Sequence, residues 1–196
     1  AADPRSAIIR RLAMAALVTG NQATASVIER GLNDSDAEVR RFAAAAAGTD
    51  ARVDDRERVV KIALADKEPR VRLEALRAWG QLLQKTSCAP IRAAVSDANT
   101  HVKLQAIDQL AQPCPANESP AAELSSLVAA LETGPRSWHL PAHALVALAR
   151  QQPEAARKAL PRFVEHPTWQ VRMYAARTAG ILGNVDDLKA LAFDRH

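Results

Sequence analysis

The segment Asp34–Gly48, DSDAEVRRFAAAAAG, decides the fold because variants of it return along the chain. Residues 66–80 read DKEPRVRLEALRAWG, and residues 97–111 read DANTHVKLQAIDQLA. Each segment begins with Asp, has Val at its sixth position and a basic residue at its seventh, and has Ala four residues after the Val. A period of this length is the signature of a repeat architecture.

The apolar-basic pair marks six repeats, although His follows the apolar residue in the fifth. The apolar members stand 30, 32, 31, 36 and 33 residues apart: Ile9, Val39, Val71, Val102, Trp138 and Val171. Ala follows each of them after four residues: Ala13, Ala43, Ala75, Ala106, Ala142 and Ala175. Because another apolar residue follows four positions later, the pattern forms one stripe at helical spacing and predicts a buried helix in every repeat.

A second amphipathic segment lies between successive stripes, so each repeat is predicted to be a helical hairpin. The six segments are Thr24–Leu32, Asp54–Ala65, Pro90–Val95, Pro120–Leu131, Pro153–Val164 and Val185–Phe193. The 42 alanines and the aromatic content of only 4% favour closely packed helices over a β-sandwich or barrel. We therefore predict an all-α fold, an α-solenoid (superhelix) of about six stacked hairpins.

Charge and hydropathy exclude several classes of protein. The net charge is +4, but the 26 basic and 22 acidic side chains are interleaved, so the charge alone does not indicate a nucleic-acid partner. No apolar stretch approaches the roughly twenty residues that a membrane-spanning helix requires.

The motif D-x-x-x-x-V-R-x-x-A-x-x-x-A/W-G resembles the HEAT repeat, especially the short bacterial form named after phycobilisome lyases. The resemblance covers essentially the whole chain, with departures at the Ile9 repeat, which has only its second helix, and at the Trp138 repeat, where Thr133 and His139 replace Asp and Arg. It implies that the turn Asp and the following basic residue form a hydrogen-bonded ladder between neighbouring turns. The predicted ladder residues are Asp34, Arg40, Asp66, Arg72, Asp97, Lys103 and Arg172.

The repeats predict one array over residues 1–196. Because it starts in a second helix and ends where another Val-Arg pair is due, we expect it to be part of a longer protein. Terminal repeats of complete arrays carry a polar outer face. The last segment carries apolar residues instead, so we expect this end of the array to associate readily with other apolar surfaces. The residues concerned are Val185, Leu188, Leu191 and Phe193.

The two cysteines have two interpretations. Cys88 lies at the start of a first helix, and Cys114 follows the second helix of the same hairpin, so antiparallel geometry allows a disulfide between them. The alternative is two unrelated thiols. A disulfide would favour a periplasmic or secreted protein over a cytoplasmic one, because such bonds rarely persist in the cytosol.

The sequence contains no established catalytic or nucleotide-binding motif, so we expect neither an enzyme nor a cofactor. His139 and His143 have the i, i+4 spacing of some metal ligands, but no third ligand is evident, and a solvated or packing pair is the favoured interpretation. Trp79 and Trp138 lie at stripe positions and are predicted to pack, while Trp169 lies near a turn and is predicted to be partly exposed.

The face of the second helices opposite the buried stripe is the candidate binding surface, and the resemblance implies that it lines the concave side. It comprises Arg41, Phe42, Leu73, Glu74, Arg77, Gln81, Leu104, Gln105, Asp108, Leu140, Met173, Tyr174 and Arg177. The alternative is a solvated or inter-repeat-packed face without a partner. This mixture of apolar and charged side chains suits a scaffold that binds another protein or another domain of the same polypeptide.

Two other functions stay open. One is nucleic-acid binding, as in the HEAT-like alkylpurine DNA glycosylases, although Glu74 and Asp108 interrupt the clustered basic stripe that phosphates require. The other is a bilin lyase or its accessory, which rests on the name of the repeat type alone. No small-molecule substrate is indicated.

Overall fold

The chain is built of helices in two compact units, Ala1–Lys85 (unit 1) and Thr86–His196 (unit 2). The structure is a computed structural model that describes residues 4–20, 22–49, 56–132 and 137–194. These residues contain no β-strand. None of the helices among them is long and apolar enough to cross a bilayer.

Unit 1 is a stack of hairpins. Its helices are α1 (Pro4–Thr19), α2 (Ala25–Leu32), α3 (Ala37–Thr49), α4 (Arg56–Leu64) and α5 (Pro69–Leu82). The first helices α2 and α4 pack on the second helices α3 and α5, and α1, α3 and α5 stack in succession.

Unit 2 repeats this arrangement. Its helices are α6 (Ala89–Ala94), α7 (Thr100–Gln109), α8 (Ala121–Ala129), α9 (His139–Gln151), α10 (Pro153–Val164), α11 (Trp169–Leu182) and α12 (Val185–Ala192), with a short 3-10 helix at Ala116–Glu118. Hairpins form between α6 and α7, α8 and α9, and α10 and α11, while α7, α9 and α11 stack as second helices. The predicted all-α solenoid fold is confirmed in its helical hairpins.

The alanine stripe forms the spine of both units. Five of the six stripe alanines are fully buried: Ala43, Ala75, Ala106, Ala142 and Ala175. Trp79 and Leu110, four residues further along their helices, are buried as well. A methyl group at the stripe alanine of α3, α5, α7, α9 and α11 allows the partner helix to approach closely.

The first repeat departs from the predicted stripe. Ile9 is 68% exposed, and Ala13 is also exposed, so the prediction of a buried stripe is wrong for α1. The reason is that α1 packs on α3 with another flank, on which Met14 is buried, and no first helix covers the stripe within the described residues.

Candidate binding surface

A single guanidinium joins two neighbouring turns in unit 1. Arg40 donates from Nε and Nη2 to the carboxylate of Asp66, at 2.7 and 3.1 Å, and from Nη1 to the backbone carbonyls of Asp34 and Ser35, at 3.0 and 3.2 Å. Only 7% of the Arg40 side chain and 10% of that of Asp66 are exposed. Charge-assisted, bidentate bonds in such a shielded site are strong, so Arg40 fixes the spacing of two repeats.

The same geometry recurs one repeat earlier. Arg10 of α1 donates to Asp34 through two bonds of 2.7 and 3.0 Å. Beside it, Arg11 donates to Asp36 through bonds of 2.8 and 2.6 Å, while Asp36 also accepts the backbone N–H groups of Glu38 and Val39. Asp36 therefore caps α3 and holds α1 at the same time.

The carboxyl groups in these turns are held in their ionised form. The hydrogen bond from Arg11 is the main cause that lowers the pKa of Asp36 to about 2, with the N–H groups of α3 adding to it. The hydrogen bond from Arg10 lowers the pKa of Asp34. Burial alone would raise the pKa of Asp66, but the bonds from Arg40 and the N–H of Glu68 outweigh it, and the net shift is downward.

In unit 2 the ladder uses different residues. Arg172 donates from Nη1 to the carbonyls of His166 and Pro167, at 2.7 and 3.0 Å, and its remaining donors bind the carboxylate of Asp194. His166 stands where three earlier turns have Asp34, Asp66 and Asp97. Its Nδ1 accepts the N–H of Thr168, and its Nε2 donates to the carbonyl of Glu132.

The other predicted ladder residues have mixed placements. Arg72 donates from Nη1 to the carbonyls of Asp66 and Lys67, and the carboxylate of Asp97 accepts the N–H of Asn99. Lys103 is half-buried on α7. The turn position that its ammonium would address, Thr133, lies outside the described residues, so this prediction stays open.

The two cysteines are joined. Cys88 and Cys114 form a disulfide with their Cα atoms 5.6 Å apart, linking the start of α6 to the segment after α7. The carboxylate of Glu118 accepts the hydroxyl of Ser87 and the N–H of Cys88, so the same corner of the hairpin is also held by hydrogen bonds.

In unit 1, part of the predicted binding surface is internally paired. Arg41 of α3 donates to Glu38 at 3.0 Å and to Glu74 of α5 at 3.3 Å, and its guanidinium lies 4.6 Å from the ring centre of Phe42. Arg77 donates to the same Glu74. These side chains form an ion-paired surface across α3 and α5. Of the other predicted residues on α5, Leu73 is half-buried and Gln81 is exposed.

In unit 2, three stacked helices meet in one hydrogen-bonded chain. The Nδ1 atom of His143 on α9 lies 2.6 Å from the carboxylate of Asp108 on α7, and its Nε2 lies 2.6 Å from the hydroxyl of Tyr174 on α11. Both bonds are satisfied when Nδ1–H donates to the carboxylate and Nε2 accepts from the phenol. We call these three side chains the cross-helix triad.

The cross-helix triad lies at the surface of unit 2. Asp108 is 54% exposed and His143 is 18% exposed. Burial raises the pKa of Tyr174, with the charge of Asp108 acting in the same direction and that of Arg177 opposing it. The hydroxyl of Tyr174 is therefore protonated at neutral pH and serves as a hydrogen-bond donor.

Other aromatic groups extend this surface. Trp138 stacks on His139 with ring centres 3.9 Å apart and lies 6.0 Å from the ring of Tyr174. Trp138 is only half-buried, so the prediction that it packs in the core holds in part. Trp79 is buried and Trp169 is half-exposed, as predicted. The described residues contain no group of three or more side chains that could hold a metal ion.

The remaining predicted residues lie along the same three helices. Leu104, Gln105 and Leu140 are half-buried, and Met173 and Arg177 are exposed. Together with the cross-helix triad they form what we call the second-helix surface of unit 2.

Sequence reasoning missed the contacts that link repeats on this surface. The sequence pattern relates His143 only to His139, whereas its partners in the structure are Asp108 and Tyr174, 35 and 31 residues away. The sequence does contain one signal for these contacts. His143 stands four residues after the ladder position of its repeat, on the side of α9 that faces the next second helix.

Comparisons with known proteins agree with this architecture. Residues 124–192 match the family described as HEAT repeats. The chain is also similar to a solved structure, the archaeal HEAT-like repeats protein from Thermococcus onnurineus NA1, with 14% identity, a TM-score of 0.55, and coverage of 95% of this chain and 86% of that one. No curated protein matches the sequence.

The structural likeness, at this identity, shows the fold alone. The resemblance to HEAT repeats inferred from the sequence is supported by the matched span and by the neighbour, whereas the phycobilisome-lyase type stays a prediction. The chain therefore has the fold of HEAT-like repeats.

Proposed function

We propose that this chain is a non-enzymatic scaffold that binds another protein, or another domain of its own polypeptide, through the second-helix surface of unit 2. The observation that carries the proposal is the cross-helix triad, which ties α7, α9 and α11 together at an accessible surface. A surface on rigid helices binds with little loss of conformational entropy.

The chemistry of the surface suits a peptide. Exposed Arg177 and Asp108 offer opposite charges, Met173 offers an adaptable apolar contact, and Tyr174 offers an amphipathic ring. The acidic Asp108 on this surface is unfavourable for a phosphate backbone, so we do not expect nucleic acid to bind there.

The non-enzymatic part of the proposal is supported by Tyr174. Asp, His and a hydroxyl resemble a nucleophilic triad, but the hydroxyl here belongs to a phenol whose pKa is raised by burial, and the sequence contains no established catalytic motif. We therefore interpret the cross-helix triad as a positioning device. The phycobilisome-lyase type rests on the repeat motif alone, and we carry no pigment chemistry over from it.

The proposal is tested by comparing the proteins that co-purify with three forms of the chain. We expect the Tyr174→Ala, Arg177→Ala double variant to recover at least tenfold less of the partner that the parent chain binds, because both side chains belong to this surface and Tyr174 is part of the cross-helix triad. The matched control is Lys158→Ala on α10, which is exposed in the same unit and should retain the partner.

Both variants must keep the helical circular dichroism of the parent chain. Undiminished recovery of every specific partner by the folded double variant would overturn the assignment of this surface.

A further inference from the structure

A cation on the second helices of unit 1 has its counter-charge within the same unit. Arg77 and Glu74 of α5 stand six and three residues after Val71, so they lie one turn apart on the helix. Arg77 donates to the Glu74 carboxylate at 3.3 Å, and Arg41 of α3 donates to it at the same distance. The charges on this part of unit 1 therefore neutralise one another.

The equivalent cation of unit 2 lacks such a carboxylate. Arg177 and Tyr174 of α11 stand six and three residues after Val171, so Tyr174 takes the place of Glu74. The hydroxyl of Tyr174 is neutral and donates its proton to Nε2 of His143. Arg177 is exposed, and none of the described residues pairs a carboxylate with its guanidinium.

The carboxylate at the other end of the cross-helix triad is only partly used. Asp108 of α7 contacts Nδ1 of His143 through Oδ1, at 2.6 Å, and is 54% exposed. Within the described part of the chain, its Oδ2 has no partner. When Nε2 of His143 accepts from Tyr174, the imidazole carries a single proton and no charge. Asp108 therefore keeps its negative charge.

The two remaining charges face each other across one helix. The helix α9 stands between α7 and α11 and packs on both. Because the axes of packed helices lie 8–10 Å apart, Asp108 and Arg177 are separated by roughly 16–20 Å. Each stands six residues after the Val of its stripe, so the two lie at the same height in their repeats. A line that joins them crosses the cross-helix triad.

The hydroxyl between the two charges favours an extended partner. Because the proton of Tyr174 is donated to His143, its oxygen has only lone pairs to offer a partner. A backbone N–H of an extended segment can donate to such an oxygen. The N–H groups in the middle of a helix cannot, because they are bonded within the helix.

We propose that the second-helix surface of unit 2 binds an extended segment of its partner that places a basic side chain at Asp108 and an acidic side chain at Arg177. This inference rests on the proposed function and names the chemistry of the partner. An extended chain rises about 3.3 Å per residue and directs every second side chain to the same face. Two side chains six residues apart therefore lie about 20 Å apart on one face, as the two charges require.

The test uses a display library of random dodecapeptides, selected on the disulfide-bonded 196-residue chain. We expect the enriched peptides to carry a basic and an acidic residue six positions apart. A synthetic copy of an enriched peptide should bind at least tenfold more weakly, by fluorescence anisotropy, when either charged residue is replaced by Ala.

Substitutions in the chain assign each preference to one contact. Selection on Arg177→Glu should replace the preference for an acidic residue with a preference for a second basic one. Asp108→Asn keeps an acceptor for His143 and should remove the preference for the basic residue. The matched control is Lys158→Glu on α10, which is exposed outside this surface and should select the same peptides as the parent. Every variant must keep the helical circular dichroism of the parent.

The possible failures separate this inference from the proposed function. Peptides that lose binding to the Tyr174→Ala, Arg177→Ala variant but show no paired charges would overturn the inference and leave the binding surface in place. An acidic preference that survives Arg177→Glu, a basic preference that survives Asp108→Asn, or a fixed spacing other than six would overturn it as well. A library that enriches no peptide, or peptides that bind the double variant as tightly as the parent, would overturn both proposals.

Discussion

At the scale of single residues, the turns depend on side chains that bind two repeats at once. The planar guanidinium of Arg40 has enough donors to reach a carboxylate in the next turn and two carbonyls in its own. A lysine at this position could not make the bidentate contact, because its ammonium is a single point of charge.

Asp36 makes the free energy of unfolding of unit 1 depend on pH in the acidic range. Its pKa is about 2 in the folded chain because Arg11 and the first N–H groups of α3 stabilise the carboxylate, whereas an unfolded chain has a value near 3.9. The unfolded state therefore binds protons first as the pH falls. The stabilisation is fully present above about pH 4 and is lost between about pH 4 and 2.

We expect Asp36→Asn to flatten this part of the pH profile of the free energy of unfolding, measured by urea denaturation. The amide keeps an acceptor for the cap, so the loss at neutral pH should come from the bonds to Arg11. Asp36→Ala removes the cap too and should cost about 1 kcal/mol more. An unchanged slope below pH 4 in Asp36→Asn would contradict this role.

The sequence predicted part of this ladder, for a physical reason. The Asp and Arg spacing identified Arg40 and Asp66, whose bond the structure contains. It did not identify Asp194, which follows Arg172 by 22 residues rather than the 26 that separate Arg40 from Asp66. The spacing did not identify His166 either, because the pattern looks for Asp and Arg. An imidazole can take both of their roles, accepting a hydrogen bond at Nδ1 as Asp does and donating one at Nε2 as Arg does.

At the scale of elements, close contact between second helices depends on small side chains. Gly48 near the end of α3 illustrates this, since a Cβ added there would lie 2.9 Å from Cβ of Ala78 on α5. Gly180 holds the equivalent position in α11, and a Cβ there would meet nothing within 4 Å.

We expect Gly48→Ala to destabilise the chain by about 1–3 kcal/mol, because the added methyl forces two packed helices apart. Gly180→Ala should stabilise it by up to about 1 kcal/mol, since Ala favours helix and the space is open. Thermal unfolding of both variants at low protein concentration checks the pair. Equal effects of the two substitutions would show that helix propensity, and not the α3–α5 approach, governs Gly48.

Element boundaries could be predicted because hydrophobic spacing reports which face of a helix is covered. The segment Pro153–Val164 matches α10 at both ends, and Val185–Phe193 matches α12 within one residue. Spacing does not report whether a neighbour exists to cover that face, which is why α1 has the expected periodicity and an exposed Ile9.

At the scale of the whole molecule, the binding surface arises from stacking. Asp108, His143 and Tyr174 come from three separate repeats, and no local pattern links them. The sequence indicated which helix faces form the candidate binding surface. The hydrogen-bonded chain depends in addition on how far α7, α9 and α11 are shifted along their axes relative to one another, and only the packed structure determines that shift.

The disulfide gives the last prediction, because it constrains one unit. Cys88 and Cys114 are 26 residues apart and both lie in unit 2. Closing a loop of this length lowers the entropy of the unfolded chain and stabilises the fold by about 3–4 kcal/mol. Stability in repeat proteins is the sum of local terms between neighbours, so the loss on opening the bond should be local too.

We expect reduction, or the Cys88→Ala, Cys114→Ala double variant, to accelerate amide hydrogen exchange first in α6 and α7, which flank the bond. Exchange in α2 and α3 of unit 1 should change far less, because their packing does not involve the bridged hairpin. The control is the oxidised parent chain in the same buffer without the reductant. Equal acceleration in α3 and α7 would instead show that the chain unfolds as one cooperative body, and the bridge would then stabilise every repeat alike.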